Sequence, residues 1–150
     1  MKTLIKLVLA AVLATGPTLA RALDGTPVER WQQDRTVVLE ATGLELSDFR
    51  WIARPVVVFA DSPADPRFRE QMKLLAARPE ALAARDVVVI TDTDPAANSS
   101  IRQALRPPGF MVVLIAKDGA INLRKPVPWD VRELTRSIDK MPLRQDELRR

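Results

Sequence analysis

Residues 56–66 read VVVFADSPADP, and this stretch decides the fold. Its first half, Val56 to Ala60, is an unbroken apolar run rich in β-branched side chains. A half-exposed strand would alternate apolar and polar residues. A continuous run suits a strand covered on both faces, as in a parallel sheet. Its second half is a turn and a helix start, with Asp65 as the cap and Pro66 at the first helical position. The helix that follows presents Phe68, Met72 and Leu75 as one apolar stripe. A second short helix is expected from Pro79 through Ala84. Asp86 to Thr91, DVVVIT, is then a second buried strand.

Outward from this core the pattern continues in both directions. Asp92 to Asn98 reads as a loop, and Ser99 or Ser100 can cap a helix that buries Ile101 and Leu105. Pro107-Pro108-Gly109 stops that helix. Phe110 to Ala116 is a third strand. Lys117-Asp118-Gly119 is a hairpin turn, because Asp-Gly supplies positive φ, and Ala120 to Arg124 is the fourth strand. Pro126 and Pro128 lead into a last long helix with Val131, Leu134, Ile138 and Met141 on one face. Pro142 is expected to interrupt it, leaving a polar tail. Upstream, Leu44 to Trp51 reads as a helical turn with Ser47 as its cap and Arg54-Pro55 as its end. Residues 23–45 form a leader whose packing groups are Trp31 and Val37-Val38-Leu39. The order is β-α-β-α-β-β-α, an α/β mixed sheet flanked by helices. Two buried strands joined through helices imply a right-handed parallel crossover. Val58 is expected mid-strand at the centre of the sheet, covered by Leu134 and Ile138.

The first residues argue for export. Lys2 and Lys6 precede the apolar run Leu7 to Ala14, which Gly16 and Pro17 break. Ala20-Arg21-Ala22 then offers small residues at the positions a signal peptidase reads. The run is short for a bilayer span, which needs about 20 apolar residues. Cleavage is expected after Ala22, with Ala20 as the alternative; the competing reading is an uncleaved anchor or a buried helix. Losing Lys2, Lys6 and Arg21 takes the basic count from 23 to 20 against 19 acidic residues, a net +1. That near balance, with interspersed signs, gives no argument for nucleic-acid binding. The 128 residues left by removing 22 from 150 bury roughly two thirds of their unfolded surface, enough for one domain without disulfides.

Absent residue types exclude whole chemistries. The chain has no Cys, no His and no Tyr. Without Cys there is no disulfide, no thiolate nucleophile and no thiolate metal site. Without His the commonest general base and metal ligand are missing, and no Ser-His-Asp arrangement can form. Thiol oxidoreductase and thiol peroxidase chemistry are excluded on this ground, and no cofactor is expected.

Four stretches carry a family resemblance: Phe49-Arg50-Trp51 with Arg54-Pro55, the strand Val56 to Ala60, Lys117-Asp118-Gly119, and Ile138-Asp139-Lys140-Met141-Pro142-Leu143-Arg144. On these the chain resembles the exported family described as domain of unknown function 4174. The resemblance covers about residues 46–147, and its C-terminal stretch is the most specific. It implies a thioredoxin-like fold and an extracytoplasmic location, periplasmic or secreted, and no reaction. It marks Trp51, Arg54, Pro55, Lys117, Asp118, Gly119, Asp139, Met141, Pro142 and Arg144 as family-motif residues. Where a thioredoxin carries its redox pair, after the first buried strand, this chain reads Asp61-Ser62-Pro63-Ala64-Asp65. Prolines 107 and 108 fall ahead of the place of a thioredoxin's cis-proline.

The candidate site residues each have two readings. Asp61, Asp65, Asp92 and Asp94 follow the two parallel strands, where α/β sheets bind ligands. Converging, they could hold calcium or magnesium through oxygen; otherwise Asp is there as a turn and capping residue. Arg67, Arg69, Arg102 and Arg106 could grip a carboxylate or phosphate, or face solvent beside nearby acids. The stretch with Asp139, Met141, Pro142, Arg144 and Glu147 could dock a partner, or lock the last helix with Met141 in the core and Arg144 paired to an acid. Trp129 reads as a core cover or an exposed contact, and Asn98-Ser99-Ser100 matches a glycosylation sequon.

The expected organisation is a signal peptide over 1–22, a leader over 23–45, a thioredoxin-like domain over 46–147 and a tail over 148–150. The expected function is a non-redox binding or scaffold module of the cell envelope, with an envelope or extracellular protein as partner, no nucleic acid, and no membrane span after cleavage. The alternative is a cysteine-free enzyme or divalent-metal-binding domain built on the acidic loops.

Overall fold

The computed structural model describes residues 25–150, so the expected signal peptide lies outside the described residues. The chain forms helix α1 (Pro27–Gln33), strand β1 (Val38–Glu40), a 3-10 turn (Leu46–Phe49), β2 (Arg54–Phe59), α2 (Pro66–Ala76), α3 (Pro79–Ala83) and β3 (Val87–Asp92). A second 3-10 turn (Pro95–Ala97) precedes α4 (Ser100–Leu105), β4 (Met111–Ile115), β5 (Ile121–Lys125), α5 (Val131–Asp139) and α6 (Pro142–Leu148). The sheet order is β1-β3-β2-β4-β5. β1, β3 and β2 run parallel, while β4 is antiparallel to β2 and β5 to β4. The expected order from the first buried strand onward is present, and the sheet is mixed and flanked by helices as the resemblance implied.

β2 is central, and its side chains alternate between two fully covered faces. Val57 and Phe59 join Trp31, Phe49, Ile90, Ile101 and Val113 on one side. Val56 and Val58 join Leu75, Val112, Leu134, Ile138 and Met141 on the other. That two-sided burial is why Val56 to Ala60 has no polar residue. Val58, Leu134 and Ile138 are all fully buried, as expected.

Several expectations need correction. The sheet has five strands, not four, because the leader contributes β1. Three residues are too few to show a period, so sequence pattern cannot reveal it. Leu39 of β1 is buried while Val38 is 45% exposed. α1 anchors the leader through Trp31, whose Nε1 donates to the Val87 carbonyl at 3.1 Å, and a capping box between Thr26 and Glu29 starts it. Ser47 does not cap the first 3-10 turn; Glu45 holds that position, without a side-chain bond. Arg54 and Pro55 do not end that turn but open β2. The Arg54 N–H turns to β3, donating to Asp86. The next N–H would point toward β4, whose pairing begins at Val56, so Pro55 sacrifices no ladder bond.

In α2 the fully buried residues are Gln71 and Leu75, with Phe68 and Met72 half-buried. Gln71 is buried because its amide clamps the backbone of Trp129 in both directions, at 2.7 and 2.8 Å. Pro142 begins α6 instead of a polar tail, and Met141 sits buried at its N-cap position. The hairpin forms as expected: Gly119 adopts φ +90° and Asp118 accepts the Ala120 N–H at 2.9 Å. Among the described residues no peptide bond is cis, and no helix is long and apolar enough to cross a membrane.

Candidate functional site

The sheet has two ends where loops gather, and the acidic candidates belong to the end at the C-termini of β2 and β3. Asp65 caps α2, accepting the Arg67 N–H at 2.8 Å. The same carboxylate pairs with the Arg67 guanidinium at 3.1 Å, whose hydrogen bond lowers its pKa. Asp94 caps the second 3-10 turn through the Ala96 N–H at 3.2 Å. Asp92 is buried and accepts the Ser99 hydroxyl at 2.6 Å and Arg102 Nη2 at 2.8 Å. Burial alone would raise its pKa, but Arg102 and Ser99 hold it below the ordinary value. Arg102 also donates to the carbonyls of Ala60 and Asp92, and Ser99 caps α4. Asp61 and Arg69 are exposed, and Arg106 ends α4 with φ +48°. Each of the other three carboxylates therefore has a local structural partner. Among the described residues no three Asp, Glu, His or Cys side chains gather closely enough to hold a metal ion.

The family-motif residues meet at the opposite end, where β2 and β3 begin and the β4–β5 hairpin turns. Arg54 is fully buried; its Nη1 donates to the Arg85 carbonyl at 2.9 Å and its Nη2 to Glu147 Oε1 at 3.0 Å. Lys117, on the hairpin, donates to Asp86 at 2.7 Å and to the same Glu147 oxygen at 2.8 Å. Arg144 reaches the other Glu147 oxygen at 3.3 Å, and its Nε lies 3.5 Å from Asp139. Asp139 is gripped by Arg85 through two bonds of 2.8 Å, and Arg35 pairs with Asp86 at 2.6 Å. Pro142 starts the helix that delivers Arg144 and Glu147. Gly119 is needed twice, for its positive φ and because a Cβ there would lie 3.1 Å from the Arg50 guanidinium.

Electrostatics follow from this geometry. Burial would raise the Glu147 pKa, but the hydrogen bonds from Lys117 and Arg54 overcome it and bring the value down to about 2. Asp86 is likewise lowered against its burial by Lys117 and Arg35. The Arg85 hydrogen bond lowers Asp139. Five cations, Arg35, Arg54, Arg85, Lys117 and Arg144, thus face three carboxylates, Asp86, Asp139 and Glu147. The Nε atoms of Arg54 and Arg144 are buried and have no hydrogen-bond partner.

Two cavities adjoin at Lys117. One of about 210 Å³ lies between the hairpin and α6, with Arg54, Lys117, Asn122, Ile121, Met141 and Leu143 in its wall. The other, about 300 Å³, is lined by Trp51, Lys117, Glu147 and Arg150 among others. Trp51 is 64% exposed. It is held at φ +64° while its N–H donates to the Lys117 carbonyl at 2.6 Å. A bulky residue in this region carries strain of roughly 1–2 kcal/mol. A third cavity, apolar and about 270 Å³, lies beside β1, α2 and α3, away from the motif residues.

Sequence reasoning marked Arg54, Lys117, Asp139 and Arg144 through the resemblance, and Glu147 through the C-terminal stretch. It missed Arg35, Arg85 and Asp86 as members. Asp86 sits at φ +53° just before β3, and a charged pair abutting a buried strand was the available signal.

The family model described as "Domain of unknown function (DUF4174)" matches residues 45–147. No curated protein matches the chain. Among solved structures, the chain is similar to the reduced 2-Cys peroxiredoxin of Plasmodium vivax, with 14% identity, a TM-score of 0.53, and coverage of 71% of this chain and 86% of that one. It also matches thioredoxin peroxidase I of Plasmodium yoelii at 16% identity, covering 70% of this chain and 80% of that one, with a TM-score of 0.49. At 14% identity the first likeness concerns the fold alone, which is thioredoxin-like.

Proposed function

The chain belongs to the domain of unknown function 4174 family, and on that premise we propose that it is an exported, non-redox module of the cell envelope that works by binding. The observation that carries this reading is the composition of the loop after β2. There a redox-active thioredoxin places its thiols, and here the loop reads Asp61-Ser62-Pro63-Ala64-Asp65 in a chain without cysteine. A thiolate is the nucleophile in both disulfide exchange and thiol peroxidation. The Asp65 carboxylate in that loop caps α2. Export rests on the basic start, the short apolar run and the small residues Ala20 and Ala22. A binding role is supported at the other end of the sheet, where the motif residues surround two cavities and an exposed tryptophan.

Peroxide-consumption and insulin-reduction assays on the purified protein should show no rate above buffer, and turnover in either would overturn the non-redox reading. Mass spectrometry of the envelope fraction should find Leu23, or else Arg21, at the N-terminus. Intact Met1 there would refute the cleavage.

A further inference from the structure

We propose that the cavity between the β4–β5 hairpin and α6 is a binding site for a carboxylate carried on a short apolar chain. This deepens the binding-module reading and rests on it.

Three independent features point there. Charge comes first. Five cationic groups meet three carboxylates at this end, and one of the five, Arg54, is fully buried. Glu147 Oε1 serves both Arg54 and Lys117, so one oxygen answers two cations. Buried charge is costly unless each group is paired, and within this ion-pair network the cations outnumber the acids.

The second feature is an unused donor. Arg54 Nε, on a residue of the cavity wall, is buried without a hydrogen-bond partner. Such groups are rare in folded proteins, because a lost hydrogen bond inside costs about 1–3 kcal/mol.

The third is the cavity itself. Its wall holds Arg54, Lys117 and Asn122 together with the apolar Ile121, Met141 and Leu143; Asp118, also in the wall, accepts the Ala120 N–H. Cation and amide donors suit the two oxygens of a carboxylate. The apolar side chains suit a carbon chain and give bare inorganic anions nothing to pack against. Two sources share this chemistry: a free short-chain acid, and the C-terminal end of a peptide that finishes in an apolar residue.

The test is calorimetric titration of the purified protein at constant ionic strength. The probes are sodium butyrate and a short peptide ending in leucine, the latter with a free or an amidated C-terminus. Expected are one-site binding of butyrate, of the free peptide, or of both, with no binding of the amidated peptide and no comparable heat from sodium chloride. A preference for the free peptide assigns a chain terminus as the source; a preference for butyrate assigns a small acid. Asn122→Ala should weaken binding about tenfold, the loss of one good hydrogen bond to a charged group. Asn122 is exposed and outside the ion-pair network, so its loss should leave the unfolding midpoint in place. Lys117→Gln should weaken binding at least as much. The proposal fails if neither carboxylate binds, if chloride or the amidated peptide does as well, or if binding survives both substitutions unchanged. Turnover in the peroxide or insulin assays would instead defeat the wider reading while leaving this titration to stand or fall by itself.

Discussion

At one end of the sheet Asp92 meets Arg102, 10 residues along the chain; at the other Arg54 meets Glu147, 93 residues away. The first end is stitched locally. Asp65 bonds to Arg67 and Asp94 to Ala96, each two residues on, so each of these acids has its own partner. The second end is stitched across the whole chain, drawing Arg54 from β2, Asp86 from the entry to β3, Lys117 from the hairpin, and Glu147 from α6. There one oxygen is shared by two cations. The expected place for a ligand in such a sheet is the first end. In this chain three of that end's four acidic candidates are taken up by local partners, beside a cavity of about 240 Å³ lined by Glu40, Thr91, Asp92 and Asp94 among others, while the second end has the cation-rich ion-pair network, the two cavities at Lys117 and the exposed tryptophan. Position in a fold marks where a site can be; the pairing of its charges decides where one is left open.

The comparison can be scaled against the apolar core, which belongs to neither end. Ile138→Ala should cost roughly 2–5 kcal/mol by transfer loss and cavity formation, since Ile138 is fully buried in the layer over Val58. A silent result in denaturant titration would mean that α5 does not pack as described.

Glu147→Gln comes next, at about 2–4 kcal/mol, because it removes the charge that answers both the fully buried Arg54 and Lys117, leaving a neutral amide oxygen as their acceptor. The same carboxylate gives this end a pH signature. Its folded pKa of about 2 lies below the ordinary 4.5. Its contribution is therefore complete above the ordinary value and is lost as pH falls from there toward about 2. Unfolding midpoints measured down this range should fall less steeply in Glu147→Gln than in the parent.

Asp92→Asn should cost less, about 1–3 kcal/mol, since it takes the counter-charge from one cation, Arg102, which keeps its bonds to two carbonyls. A cost above that of Glu147→Gln would invert the comparison. Asp61→Asn should change stability by no more than about 0.5 kcal/mol, as for an exposed loop position without a structural partner. A larger loss, or one that appears with calcium present and vanishes when it is chelated, would reopen the acidic loops as a site.

How much of this was legible follows from the same contrast between near and far. Asp65 with Pro66 announced the cap of α2, Val56 to Ala60 announced a doubly covered strand, and Asp118-Gly119 announced the hairpin, because each signal is complete within a few residues. Strand β1 was not legible, since three residues show no period and its place is set by pairing with β3. Sequence pattern gives a tail in place of helix α6, because proline interrupts a helix in its interior and starts one at its first position, and the pattern around Pro142 does not tell the two apart. The site was half visible. Arg54, Lys117 and Arg144 could be named from the resemblance, but no local rule says that residues 54 and 147 meet. Nor could sequence reveal that the acidic loops would be spent on caps, because a capping aspartate and a ligating one look alike until partners are seen.

The 93-residue span between Arg54 and Glu147 also has a consequence in time. Closing a contact of that length is entropically expensive until intervening strands have brought its ends together. The ion pair is therefore expected to close late, after the transition state for folding, and a φ-value near zero for Glu147→Gln in folding kinetics would check it. Contacts of that kind leave the folding rate alone and act on the reverse step. Glu147 should then act as a latch, doing little to help the chain find its shape and much to slow its departure from it.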